Sequence, residues 1–338
     1  IEKQPVINSK VLDEISFIDY GIDFKDVKGQ FAARRAAEVA ASGMHNFIMI
    51  GSPGSGKTMI ARRMPSILPP MTLKEALETT KIHSVAGLIK DSGRLINKRP
   101  FVSPHHTSSN IAVIGGGTKA KPGNVSIANS GILFLDEMLE FSRSVLEVLR
   151  QPLEDRFVTI ARAGRTVTYP AKFMLVAAMN PCPCGYLGDS RKDCTCSQNA
   201  IDRYRAKLSG PMLDRIDLIS HVEAVDYKDL MDLQEGESSA DIRCRVINAH
   251  KIQAERFKDE GILYNSEMSE SMVRKYCNLD DNALKIMEQI MSKHNISARS
   301  YSKILKTSRT IADLNSCSKI ECTHILEAFQ MKLPDNNI

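Results

Sequence analysis

Eight consecutive residues, Gly51-Ser52-Pro53-Gly54-Ser55-Gly56-Lys57-Thr58, have the types and spacing of a phosphate-binding loop. Glycines let the backbone curl until successive N–H groups face one anion, and a helix starting at the loop adds the positive end of its dipole. A lysine at Lys57 reaches β- and γ-phosphates, and the Thr58 hydroxyl is a ligand for Mg²⁺. A second candidate is Leu133-Phe-Leu-Asp136-Glu137, an apolar run ending in two carboxylates about 80 residues downstream. Asp136 suits the Mg²⁺ hydration sphere, and Glu137 suits polarisation of an attacking water. A surface acidic pair capping a following helix is the competing account of these two residues. Asn180, at the end of a third apolar run, places an amide where it can hydrogen-bond a γ-phosphate or orient water, although Asn-Pro is also a common turn starter.

These residues need strands to carry them. Phe47-Ile-Met-Ile50, Ile132-Leu-Phe-Leu135 and Lys172–Ala178 read as buried parallel strands, and Ile219–Val225 as a last one. Helices are expected from Phe31 to Ser42 with Gly43 at the C′ position, after the loop up to Pro65, from Thr72 with Glu75 completing a capping box, and from Ser142 to Leu153. Val158–Ala161 and Thr166–Tyr169, around Arg162-Ala-Gly-Arg165, give a hairpin pattern. Strands alternating with helices predict an α/β core with a parallel sheet flanked by helices. Beyond it the pattern is all-helical, roughly 241–260, 269–277, 280–294, 297–315 and 321–331. The expected division is a leading segment 1–26, a core 27–226 with inserted loops and hairpins, a linker 227–240 and a helical lid 241–338.

Composition sets bounds. The 338 residues, 43% hydrophobic and 25% charged, suit a globular chain of about two domains. No apolar run approaches the roughly 20 residues of a membrane span, and no signal segment opens the chain. A cytoplasmic protein is expected. The chain opens on Ile1 in place of methionine, which points to a fragment of something longer. A net charge of +5 is compatible with nucleic acid without arguing for it. Local basic sites say more. The hairpin tip carries Arg162 and Arg165, and Lys98, Arg99, Lys119 and Lys121 form a second set on the inserted loops. Both sets are candidate DNA-phosphate contacts, with a solvated basic turn as the alternative.

Four of the eight cysteines cluster as Cys182-Pro-Cys184 and Cys194-Thr-Cys196, nine residues apart. Two such pairs closed by one loop can wrap a tetrahedral Zn²⁺, and nearby Arg191 and Lys192 would offset thiolate charge. Two disulfides or four free thiols are the competing readings. The pair His105-His106 has no third ligand nearby and reads as a loop-positioning element.

Several stretches together resemble one family. They are Pro100-Phe-Val-Ser-Pro-His-His-Thr107, Ile114–Gly117, Gly131–Glu137, Val145–Glu154, Ala178-Met-Asn-Pro-Cys-Pro-Cys-Gly185 and Arg309–Leu314. The chain resembles ComM/YifB-type, magnesium-chelatase-like AAA+ ATPases over nearly all of residues 15–332. The resemblance implies an AAA+ P-loop core followed by a helical lid, assembled as a ring, usually a hexamer. On that pattern Gly51–Thr58 corresponds to Walker A, Leu133–Glu137 to Walker B and Asn180 to sensor 1. Arg215 corresponds to the arginine finger acting on a neighbour's ATP, and Arg299 to sensor 2, closing the site from the lid. Family members carry an N-terminal Lon-protease-like domain, which agrees with the fragment reading. The implied activity is ATP hydrolysis driving branch migration of DNA in natural transformation; magnesium-chelatase and chaperone-like relatives instead remodel a protein partner.

Overall fold

A computed structural model describes residues 20–89, 95–162, 165–224, 235–294 and 296–332. Most of the expected leading segment, the hairpin tip Ala163-Gly164, Val225 and much of the expected linker lie outside these residues. The strands, in chain order, are β1 (Phe47–Ile50), β2 (Phe101–Val102), β3 (Gly115–Gly116), β4 (Lys121–Pro122), β5 (Ile132–Leu135), β6 (Phe157–Arg162), β7 (Arg165–Pro170), β8 (Met174–Met179) and β9 (Leu218–His221). Among the described residues five of them form one sheet in the order β2-β5-β8-β1-β9. Every pairing in it is parallel, with Phe47 opposite Val176 and Leu218, and Phe134 opposite Val176. β1, β5 and β8 are buried along their whole length, as their uninterrupted apolar runs require. The other ladders are antiparallel: β3 with β4, and β6 with β7.

The alanine-rich helix Phe31–Gly43 lies between the sheet and the C-terminal helices. Its alanines at 33, 36, 37, 40 and 41 are buried and allow close approach on both sides. One apolar cluster therefore runs from Phe47, Phe134 and Val176 of the sheet to Val246, Ile304, Leu305 and Ile311 of the C-terminal helices. Those helices span Ser239–Arg256, Glu270–Tyr276, Asp281–His294, Ala298–Leu314 and Cys322–Gln330, matching the expected all-helical pattern.

Four local expectations met different outcomes. The Thr72–Glu75 capping box is present, opening a helix over Leu73–Ala86. Gly43 is inside its helix, and Met44 takes the left-handed position, φ +52°. Glycine is required at 43 for another reason: a Cβ there would sit 2.3 Å from His45 Nε2 and 2.6 Å from Thr310 Oγ1. The helix after the phosphate loop runs through Pro65 to Ile67. Pro65 forfeits one backbone bond near the helix end, while the extra turn buries Ile67. The predicted Ser142–Leu153 helix is two short ones, Arg143–Val148 and Arg150–Asp155. Pro152 lacks the N–H that would bond to Val148, so the break falls between them.

Two polar clusters hold the C-terminal helices. Asp313, 1% exposed, accepts from Arg256 Nη1 at 2.7 Å, Arg309 Nε at 3.1 Å and Asn265 Nδ2 at 2.8 Å. Arg309, also 1% exposed, donates its remaining N–H groups to the carbonyls of Ser318 and Cys317. The buried C-terminal end of the Phe31–Gly43 helix is satisfied from outside. His250 Nε2 donates to the Ala41 carbonyl at 3.0 Å and Gln253 Nε2 to the Ser42 carbonyl at 2.8 Å.

Asp313→Ala leaves two guanidinium groups without their shared carboxylate, and chemical denaturation is expected to show a loss of about 3–5 kcal/mol. Burial, with Arg99 nearby, pushes the His250 pKa down to about 4. The unfolded chain, with an ordinary histidine, then binds the extra proton first. Stability is therefore lost as pH falls from about 6.5 toward 4. Between pH 6.5 and 5 the wild type is expected to lose about 1–2 kcal/mol more than His250→Gln, which keeps the donor but does not titrate.

Candidate functional site

Sheet order assembles the site. β8 lies between β5 and β1, and all three run in the same direction. The residues following them, Asp136, Asn180 and Gly51, therefore emerge side by side at one edge, where ligands of open parallel sheets bind. Gly51 has no room for a side chain: a Cβ would sit 2.2 Å from the Val222 carbonyl oxygen. Gly56, φ +96°, turns the chain into the helix Lys57–Ile67.

Lys57 folds back into its own loop. Its Nζ donates to the carbonyls of Gly51 at 2.6 Å and Ser52 at 2.8 Å, and lies 3.4 Å from Asn180 Oδ1. Burial lowers its pKa to about 8, against the opposing pull of Asp136 and Glu137. An ammonium held by neutral oxygens in a partly dry hollow is poised for a stronger, anionic acceptor. Thr58 Oγ1 donates to Asp136 Oδ2 at 2.9 Å. A hydroxyl and a carboxylate oxygen so placed are the hard donors that Mg²⁺ takes. Glu137 sits just beyond β5 with φ +50°, an unusual conformation for a non-glycine residue. Its carboxylate is 57% exposed, and its Oε2 is 3.8 Å from His106 Nδ1. Lys57, Thr58, Asp136 and Asn180 are thus together, with Glu137 adjoining Asp136 through the bond from Glu137 N to Asp136 Oδ1, 3.1 Å.

The two expected arginines are elsewhere. The Arg215 carbonyl accepts from Asn46 Nδ2 at 2.8 Å, which puts it before the first residue of β1. Four strand residues, about 13 Å, separate that edge from the phosphate loop. Arg215 pairs with Glu154 and donates to the Arg150 carbonyl at 3.1 Å. The sequence expectation brings Arg299 over its own phosphate loop; instead its Nη1 is 3.2 Å from Asp214 Oδ2. Both arginines line one open cleft of about 250 Å³, with Lys303 and Lys306. The reason is tertiary: the helix Ala298–Leu314 packs along the Phe31–Gly43 helix, and Lys303 Nζ donates to the Ile216 carbonyl at 2.9 Å. The amino-terminal end of that helix, which carries Arg299, therefore lies at the amino edge of the sheet.

The basic candidates also separate. Arg99 is 3% exposed and belongs to the interior. Its guanidinium donates to the carbonyls of Pro69, Ser130 and Pro70 and lies 2.9 Å from Glu75 Oε1, so it has no access to DNA. Exposed Lys98 lies over the Tyr20 ring at 5.7 Å. Lys119 and Lys121 are exposed. The β3–β4 ladder beside them touches the β6–β7 hairpin: Tyr169 Oη donates to the Ala120 carbonyl at 2.9 Å. Arg162 and Arg165 face each other in the last register pair of that hairpin; their side chains lie outside the described residues.

The four clustered cysteines converge. Their sulfurs all lie within 4.8 Å of one another. Cys182 Sγ is 3.4 Å from Cys184 Sγ and 3.6 Å from Cys194 Sγ. A tetrahedral thiolate site with Zn–S near 2.3 Å needs sulfur separations of about 3.8 Å, whereas a disulfide needs about 2.05 Å. All four are free thiols, and the donor set fits zinc. Backbone N–H groups of Tyr186 and Thr195 hold the Cys184 thiol down to about 6. Arg191 and Lys192, expected to offset thiolate charge, also have other partners. Arg191 forks onto Asp189 at 2.8 and 3.1 Å, and Lys192 lies 4.4 Å over the Tyr186 ring. Two contacts had no local signal in the sequence: His106 with Glu137, and Arg191 with Ser52 of the phosphate loop, 3.2 Å.

The chain is similar to known proteins over most of its length. Residues 23–230 match the family described as magnesium chelatase, subunit ChlI, and residues 236–332 match its C-terminal part. Competence protein ComM of Haemophilus influenzae is 42% identical over 311 residues, covering 91% of this chain and 59% of the relative. An uncharacterized protein YifB of Salmonella typhimurium is 40% identical over 314 residues, covering 93% and 61%. The magnesium-chelatase subunit ChlI of Euglena gracilis is 26% identical over 155 residues, 40% of this chain and 44% of that one. The chain thus spans about three fifths of the length of its ComM and YifB relatives. With its nucleotide-type loop, parallel sheet and helical C-terminal part, this chain belongs to the magnesium-chelatase ChlI family of AAA+ proteins.

Proposed function

We propose that the protein hydrolyses ATP as one subunit of a ring, a hexamer in the family's usual form, and uses the energy to move or remodel DNA, as a ComM-like branch-migration helicase in the cytoplasm. The observation that carries this reading is the convergence of Lys57, Thr58, Asp136 and Asn180 at one sheet edge. Lys57 and the loop amides hold the phosphates. Thr58 and Asp136 hold Mg²⁺, which when bound neutralises phosphate charge. Glu137, with its carboxylate open to solvent, orients and polarises the attacking water. The Asn180 amide donates to an oxygen of the terminal phosphate.

That inventory supplies few cations for the charge that develops in transfer. Arg215 and Arg299 stand together at the opposite edge, which supports a site completed by a second copy of the chain. Both arginines then serve a neighbour, and an isolated monomer turns over slowly. The four thiols hold a structural Zn²⁺, which when bound cross-links their loop.

DNA is the favoured substrate because the β6–β7 hairpin ends in Arg162 and Arg165 and adjoins Lys119 and Lys121. A relative named competence protein supports the same choice. The other reading, remodelling of a protein partner, is supported by the likeness to a chelatase subunit. Measuring ATPase rate with single-stranded or forked DNA separates them. Stimulation by DNA is expected, with Glu137→Gln retaining nucleotide binding but losing turnover by at least about 100-fold. A rate indifferent to DNA would favour the protein partner. Replacing Arg162 and Arg165 together by alanine is expected to keep basal ATPase while lowering the slope of log affinity against log salt by about 1.4, two single-strand phosphate contacts. An unchanged slope would remove the hairpin from the DNA path.

A further inference from the structure

The cysteine segment begins beside the nucleotide site and touches it again midway. The chain leaves the site at Asn180, enters the thiol cluster two residues later at Cys182, and returns to the phosphate loop before closing at Cys194 and Cys196. Three contacts make the return. Gly185, φ +85°, lies so close to Pro53 that a Cβ would stand 2.7 Å from its ring. Arg191 Nη2 donates to Ser52 Oγ at 3.2 Å. The guanidinium is aimed by Asp189, whose side chain is 1% exposed and is itself hydrogen-bonded to the Ser52 side chain. Ser52 in turn presents its carbonyl to Lys57 Nζ at 2.8 Å. The path Arg191–Ser52–Lys57 thus joins the cysteine segment to the phosphate-binding lysine.

Little else holds this segment. Between Cys184 and Cys194 the sizeable apolar side chains are Tyr186 and Leu187, both half-buried. A nine-residue connection with so little apolar burial needs a cross-link at its base to overcome the entropy of closure. A metal bound by the four thiolates supplies one, because metal affinity and loop ordering are the same free energy.

We propose that the four-cysteine cluster is a metal-dependent clamp on the phosphate loop, with Arg191 as its positioning residue. The clamp rests on the zinc reading given above. With metal bound, Gly185 and Arg191 hold the Ser52-Pro53 arm in the form that receives phosphate. Without it the segment spreads, these contacts are lost, and nucleotide binds more weakly.

The test measures zinc per chain and the equilibrium Kd of a fluorescent ATP analogue with Mg²⁺, on protein purified without chelator. Wild type is expected to carry one zinc. Cys184→Ser with Cys194→Ser is expected to lose it and to bind the analogue about five- to tenfold more weakly. Arg191→Ala is expected to keep its zinc and show a similar weakening, with the KM for ATP raised and kcat little changed. Arg191→Lys recovers part of the loss. A chain that neither carries nor takes up zinc overturns the zinc reading, and the clamp with it. A cysteine variant that loses zinc but keeps its nucleotide affinity overturns the clamp alone. So does an Arg191→Ala protein with unaltered Kd and KM. The arginine variant guards against misfolding of the cysteine pair, because Arg191 is at the surface and is not one of the four thiol ligands.

Discussion

Everything at the candidate site depends on β8 pairing in parallel with β5 on one side and β1 on the other. Parallel pairing brings three strand ends to the same edge, and the order of the three decides what meets there. The carboxylate after β5, the amide after β8 and the glycine loop after β1 become neighbours although they lie far apart in the chain. The hydrogen bonds from Thr58 to Asp136 and from Lys57 toward Asn180 follow from that order. A strand inserted between any two of them would separate these groups by about 4.8 Å and leave the chemistry unassembled.

The same geometry makes the subunit two-sided. Strands that gather acid and amide at their carboxyl ends leave their amino ends to other residues. Here these are Arg215, with Arg299 and Lys303 delivered by the Ala298–Leu314 helix. One edge is prepared for an anion and the other carries cations, a complementarity that the proposed head-to-tail ring would use.

What could be read from the sequence, and what could not, divides by distance along the chain. The phosphate loop, the Thr72 capping box and the apolar strands are contiguous patterns, so spacing alone disclosed them. Asp136 and Asn180 were legible because each ends a strand. Arg99 was not: beside Lys98 it looks like half of a basic pair, yet it is the buried partner of Glu75, and only packing distinguishes the two. The position of Arg299 depends on how one helix docks against another, information spread over Ala33 to Ala41 and Ile304 to Ile311. The Arg191–Ser52 bond spans 139 residues, and neither partner carries a local signal for the other. Pro65 misled because a proline near a helix end can be outweighed by burial of the turn that follows.

The alanine face of the Phe31–Gly43 helix bears on mechanics. Val246, Ile304, Leu305 and Ile311 are sealed in one apolar cluster with the sheet. Prising the C-terminal helices away would expose them at about 1.5–3 kcal/mol for each side chain. Thermal energy, near 0.6 kcal/mol, does not reach that scale. The phosphate-binding edge and the arginine edge are therefore opposite ends of one sealed core, and drawing the helices off the sheet would cost several such burials at once.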